Sequence, residues 1–162
     1  MAKNKEEKTN VMRVLEQKKI AYTAHTYPHE EGMAVDGVTV AKSMGFDPAI
    51  VFKTLVARGA SKQYYVFDVP VAENLDLKKA AKAVGEKSIE MIHQKELLPL
   101  TGYVHGGCSP VGMKKLFPTV FHSSAENLAA MIVSAGKIGY QVELAPHDLA
   151  ALVRAKFADI IA

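Results

Sequence analysis

The chain has 162 residues, 49% of them apolar and 23% charged, with 20 basic against 17 acidic side chains and a formal net charge of +3. That size and apolar content suit one domain with a real core and exclude a disordered chain, while the slight basic excess permits a nucleic-acid partner but falls short of a stand-alone duplex binder. A single cysteine excludes an internal disulfide and fits a reducing compartment, MAKNKEEKTN lacks an apolar signal core, and no apolar run could cross a bilayer, so the expected location is the cytoplasm, with no membrane partner.

Residues 1–8 are charged and read as a flexible tail, which leaves one domain over 9–162. Thr9 is placed to cap a helix carrying Val11, Met12, Val14 and Leu15 at helical spacing. IAYTAHTY (20–27) reads as a strand, and Asp36 to Met44 as a short helix stopped by Gly45. AIVFKTLVARG (49–59) and YYVFDVPV (64–71) read as two strands of a hairpin around GASKQ. NLDLKKAAKAVG (74–85) is a helix, SIEMIH a short strand, and QKELLPLTG a short helix broken around Pro99. PTVFHS (118–123), AMIVSAG (130–136) and GYQVEL (139–144) follow as strands, the last two joined by the tight turn Gly136 to Gly139. APHDLAALVRAKFADII closes the chain as a predicted helix with Pro146 in its first turn. Strands in adjacent pairs with helices between them argue a mixed α+β domain with an antiparallel or mixed sheet.

Lys53 interrupts an apolar strand. Val51, Lys53 and Leu55 share one face and Phe52, Thr54 and Val56 the other, both largely apolar. Either Lys53 is a gatekeeper on an edge strand, facing water, or its ammonium enters a pocket, where it could bind an anion or stabilise an oxyanion. VHGGCSPVGMKK (104–115) holds Cys108, three glycines and Pro110. Glycines at such spacing can aim several backbone N–H groups at one point; the alternative is a plain surface turn. The segment matches neither a phosphate-binding loop nor a nucleophile elbow. His105 is the one nearby base for a Cys108 nucleophile, yet lone cysteines are more often small buried apolar residues. His25 and His29, with Pro28 between them, do not form a helical metal pair.

In order, YPHEEG (27–32), AKSMGFDPAIVFKTLV (41–56), GGCSPVG (106–112) and VSAGKIGYQVEL (133–144) resemble the YbaK/EbsC family of aminoacyl-tRNA deacylases, from about Thr9 to the C-terminus. The resemblance implies a compact domain around a mixed, mostly antiparallel, barrel-like sheet surrounded by helices, with no metal and no organic cofactor. It implies a trans-editing hydrolase that deacylates Cys-tRNA(Pro), with Cys-tRNA(Cys) as a further substrate. Its implied partners are mischarged tRNA(Pro) and, in a transient complex, prolyl-tRNA synthetase. Catalytic roles fall on Lys53, Gly106, Gly107, Ser109 and Gly112; substrate-binding roles fall on Tyr27, His29, Pro110 and Ser134. Some relatives have an aspartate where this chain has Gln141. The family is thought to let the substrate's own thiol attack its carbonyl, so no enzyme nucleophile is required. A non-catalytic tRNA- or synthetase-binding module of the same fold, and a cysteine hydrolase using Cys108 and His105, are the rival readings.

Overall fold

The computed structural model describes residues 8–30 and 33–162. The tail read over 1–8 lies outside the described residues except for Lys8, which pairs with Glu16 at 2.9 Å; Glu31 and Gly32 of YPHEEG also lie outside.

Helix α1 (Asn10–Gln17) begins at the expected cap, Met12 N donating to Thr9 Oγ1 at 3.3 Å, and buries Val11, Met12 and Leu15. Strand β1 (Thr23–Thr26) follows, then α2 (Gly37–Ser43), whose cap Asp36 accepts from Thr39 N at 3.2 Å. A 3-10 turn, Pro48–Ile50, leads into β2 (Phe52–Gly59), which returns as β3 (Tyr64–Pro70). The hairpin is antiparallel and puts Lys53 opposite Val69 and Thr54 opposite Asp68. Helix α3 (Leu77–Val84) is capped by Asp76, accepting from Lys78 N and Lys79 N at 3.0 Å, and ends at left-handed Gly85. Then come β4 (Ile89–Met91), α4 (Gln94–Thr101), β5 (Thr119–His122), a 3-10 turn over Ser123–Asn127, β6 (Met131–Ser134), β7 (Tyr140–Leu144), α5 (Pro146–Val153) and β8 (Lys156–Ala158).

Two sheets result, β1-β7-β6 and β4-β2-β3-β5-β8, in an α+β arrangement. Four ladders are antiparallel; β3–β5 and β5–β8 are parallel. An isolated parallel bridge, Val51 to Ile132, ties the sheets together, and they are not closed into a barrel. The main apolar cluster joins Val11 and Leu15 of α1, Met131 and Val142 of the smaller sheet, Leu149 and Val153 of α5, and Phe52 and Phe121 of the larger sheet. Each such side chain contributes roughly 1.5–3 kcal/mol when fully buried. The opposite face of the larger sheet packs Phe67, Val69 and Ala57 on Ala80 and Ala81 of α3. Val56 and Val66 meet Cys108 and Phe117, so the glycine segment covers part of the larger sheet.

Two expectations are corrected. α4 runs through Pro99 to Thr101: a proline six residues into so short a helix removes one hydrogen bond without ending it. The C-terminal helix stops at Val153, where Arg154 turns left-handed (φ 58°), and Lys156–Ala158 pairs with β5 as a parallel strand. Pairing with a buried strand overrides the local helical spacing.

Candidate functional site

A cavity of about 350 Å³ is lined by five successive residues, Val51 to Leu55. Alternate strand residues point to opposite faces, so five in a row can line one cavity only if it opens along the strand's edge. The edge is free there because β4 pairs with β2 only at Ala57, Arg58 and Gly59. The smaller sheet and the segment leading from β1 supply Ser134, Gln141 and Tyr27; the glycine segment supplies His105, Gly106 and Cys108; the start of α2 supplies Asp36 and Gly37.

Lys53 does not stand on an edge strand facing water: β2 lies between β4 and β3, and where β4 leaves its edge unpaired Lys53 borders the cavity. Lys53 is half-buried and has no ion-pair partner among the described residues. Burial pulls its pKa below the usual 10.5, while the negative charges of Asp36 and Glu73 oppose that shift. The ammonium is thus available to an electron-rich group entering the cavity.

Gly106 is left-handed (φ +89°), and a Cβ there would sit 2.8 Å from the Ala34 Cβ, so only glycine fits this wall. Gly107 N donates to Val104 O at 2.9 Å and Val111 N to Ser109 Oγ at 3.2 Å, which commits both donors within the segment. The amides of Gly106 and Cys108 have no hydrogen-bond partner among the described residues, and both residues line the cavity.

The residues singled out in the sequence therefore divide. Lys53, Gly106, Tyr27 and Ser134 converge on the cavity. Gly107 is buried against the backbone of Lys137 and Ile138, and Gly112 lies against the Tyr103 hydroxyl. Ser109 is fully buried with its hydroxyl turned to Val111, and Pro110 is buried beside it; none of these four lines the cavity. His29 also stands outside: its Nδ1 lies 3.2 Å from Tyr27 O, and its ring covers Gly139, where a Cβ would come within 2.2 Å.

Cys108 and His105 both border the cavity, but burial, with Asp68 adding negative charge, pushes the Cys108 thiol up to about 12. Such a thiol is almost wholly protonated near neutrality and is a poor nucleophile. Sequence reasoning missed Asp36 and Thr54. In the sequence Asp36 reads only as the helix start, and Thr54 as part of the face away from Lys53. Among the described residues no group of three His, Cys, Asp or Glu side chains could hold a metal ion, and no helix is long and apolar enough to cross a membrane.

A model of the aminoacyl-tRNA editing domain matches residues 29–152. EbsC of Enterococcus faecalis, named as a candidate Cys-tRNA(Pro)/Cys-tRNA(Cys) deacylase, is 46% identical over 161 residues, 99% of this chain and 98% of that one. A solved candidate trans-editing enzyme for prolyl-tRNA synthetase superposes with a TM-score of 0.78 at 24% identity, over 94% of each chain. A solved protein described only as hypothetical superposes at 0.83 with 18% identity, over 94% of this chain and 99% of that one. The two structural likenesses speak for the fold.

Proposed function

The chain belongs to the aminoacyl-tRNA editing domain family, and from that premise we propose that it is a cytoplasmic trans-editing hydrolase that removes cysteine from Cys-tRNA(Pro), and also from Cys-tRNA(Cys). The observation that carries this reading is a half-buried, unpaired Lys53 sharing one cavity with Gly106 and Cys108, residues whose backbone amides are unpartnered among the described residues.

The substrate is an ester between cysteine and the terminal ribose. The substrate thiol gives up its proton and forms a C–S bond to its own carbonyl carbon. The carbonyl oxygen becomes an oxyanion, which the Gly106 and Cys108 amides stabilise as fixed dipoles. Lys53 supplies a positive charge to the ester oxygens or the neighbouring phosphate. As the tetrahedral intermediate collapses, the C–O bond breaks and the ribose oxygen takes up a proton. The released thiolactone then hydrolyses to cysteine. Tyr27 and Ser134 border the aminoacyl group; Gly107, Ser109, Pro110 and Gly112 shape the segment that presents the two amides, and His29 buttresses the Gly139 turn. A net charge of +3 gives weak steering toward tRNA, which favours a transient complex with prolyl-tRNA synthetase.

Deacylation is measured on Cys-tRNA(Pro), Pro-tRNA(Pro), Ala-tRNA(Pro) and Cys-tRNA(Cys). Turnover of the cysteinyl esters with Pro-tRNA(Pro) left intact supports the assignment. Binding of Cys-tRNA(Pro) without turnover defeats it in favour of a non-catalytic module.

A further inference from the structure

Asp68 is a charged residue type in the middle of an apolar strand, YYVFDVPV, and it has no solvent exposure. Its Oδ1 accepts from the Thr54 hydroxyl at 2.5 Å, while its Oδ2 is buried with no hydrogen-bond partner. A buried carboxylate oxygen left unpartnered is costly, and native folds retain such groups mainly where they serve something. What it can serve lies next door. Thr54 is half-buried and lines the cavity beside Lys53.

The geometry points to Asp68 as a positioning residue that fixes the Thr54 hydroxyl as a hydrogen-bond acceptor for the α-amino group of the substrate, an inference that rests on the deacylase reading. A threonine hydroxyl has one proton and two lone pairs. With the proton committed to Asp68, the oxygen has only lone pairs left for the cavity. A group that donates is then accepted, and one that can only accept is turned away. Below about pH 7, where the carboxyl keeps its proton, the unpartnered Oδ2 is the atom free to carry it while Oδ1 still accepts from Thr54; above that pH the negative charge behind Thr54 strengthens the preference, because hydrogen bonds polarise one another in series. The aminoacyl ester carries one strong donor cluster close to its carbonyl, the α-amino group, only two bonds away. Lys53 and Thr54, adjacent on β2 with Cα atoms about 3.8 Å apart, thus offer complementary partners to two neighbouring substrate groups: positive charge for the ester oxygens, and an acceptor for the nitrogen. Burial holds the Asp68 carboxyl up at about 7, against the opposing hydrogen bond from Thr54.

The test compares single-turnover kcat/KM on Cys-tRNA(Pro) with that on N-acetyl-Cys-tRNA(Pro), whose nitrogen is a neutral amide, using the full chain. Wild-type protein is expected to prefer the free amine by at least about tenfold, the scale of one hydrogen bond to a charged group. Thr54→Val and Asp68→Leu should each bring that preference to within about twofold, mainly through KM. Thr54→Ser, which keeps the hydroxyl, should restore it. Combining Thr54→Val with Asp68→Leu should cost nothing further. Equal losses on both esters, or an unchanged preference in Asp68→Leu with its fold intact by circular dichroism, overturn the inference and leave the deacylase assignment standing. Wild-type protein that hydrolyses neither ester overturns both.

Discussion

Ser134 and Gln141 face each other across the β6–β7 ladder, and both line the cavity. Ser134 Oγ accepts from Gly136 N at 3.1 Å, which anchors the turn to Gly139, so its own proton remains to be donated into the cavity. Ser134→Ala should therefore act twice. It should lower kcat/KM for Cys-tRNA(Pro) by about tenfold through loss of a substrate contact, and lower stability by about 1 kcal/mol because Gly136 N loses its acceptor. Kinetics and urea unfolding on the same preparation check this. A stability loss with unchanged kinetics would confine Ser134 to the turn.

Lys53→Ala should lower deacylation by at least about tenfold, the scale of one electrostatic contact to developing charge. Its pH dependence also carries a direction. Burial lowers the pKa of Lys53 from 10.5, so its positive charge disappears at lower pH than that of a free lysine. Activity should fall on the alkaline side below pH 10.5, and Lys53→Arg should move that fall upward, because a guanidinium keeps its proton. An alkaline limb unmoved in Lys53→Arg would assign the titration to another group.

Asp68 makes stability depend on pH. Its carboxyl is raised from 3.8 to about 7, with burial the main cause. Between those values the folded chain holds a proton that the unfolded chain has released, so stability falls as pH rises through that window. At 1.36 kcal/mol per unit the loss is on the order of 4 kcal/mol. Asp68→Leu removes that slope. The variant should be more stable than wild type at pH 8, by a margin that shrinks by several kcal/mol toward pH 4. Denaturant unfolding across this range decides it, and a constant difference would refute the buried-ionisation account.

How much of this was legible depended on whether a signal was local. The β2–β3 hairpin, the cap Thr9 and the Gly136–Gly139 turn follow from residue types at short spacing, and all three stand in the structure. The strand Lys156–Ala158 was hidden because Leu149, Val153 and Phe157 keep helical spacing; only pairing with β5, more than thirty residues earlier, makes those last residues extended. In the site, Lys53 announced itself as a charge in apolar company, and Asp68 carried the same signal in the returning strand. Pairing Asp68 with Thr54 required the hairpin register as well. Which amides of the glycine segment are taken could not be read at all, since it depends on Val104 O and Ser109 Oγ accepting from Gly107 N and Val111 N.

Cys108 should be dispensable for chemistry. Its thiol is pushed up to about 12 and packs with Val56, Val66 and Phe117. Cys108→Ala should keep deacylation within about threefold of wild type while costing roughly 1 kcal/mol of stability for the lost apolar volume. Iodoacetamide should label the folded chain far more slowly than the unfolded one at pH 7.5. Abolished turnover in a folded Cys108→Ala protein would restore the cysteine-hydrolase reading.

The remaining prediction concerns the attacking group. If the substrate thiol attacks its own carbonyl, Ser-tRNA(Pro) should be hydrolysed far more slowly than Cys-tRNA(Pro). Serine is nearly isosteric with cysteine, so a cavity that selects by size accepts both. A serine hydroxyl is scarcely ionised near neutrality, whereas a free thiol with a pKa of about 8.5 is partly thiolate. Lys53 sharpens the contrast, because its positive charge favours any anion formed in the cavity. Single-turnover hydrolysis of both esters on one tRNA, with enzyme in excess, gives the ratio of the chemical steps. Equal rates would defeat substrate-assisted attack and point to water, leaving the deacylase assignment intact. A large ratio accompanied by a trapped cysteine thiolactone identifies the substrate thiol as the nucleophile. A large ratio with cysteine as the sole product under the same trapping conditions assigns the difference to how the cavity positions the two esters for attack by water.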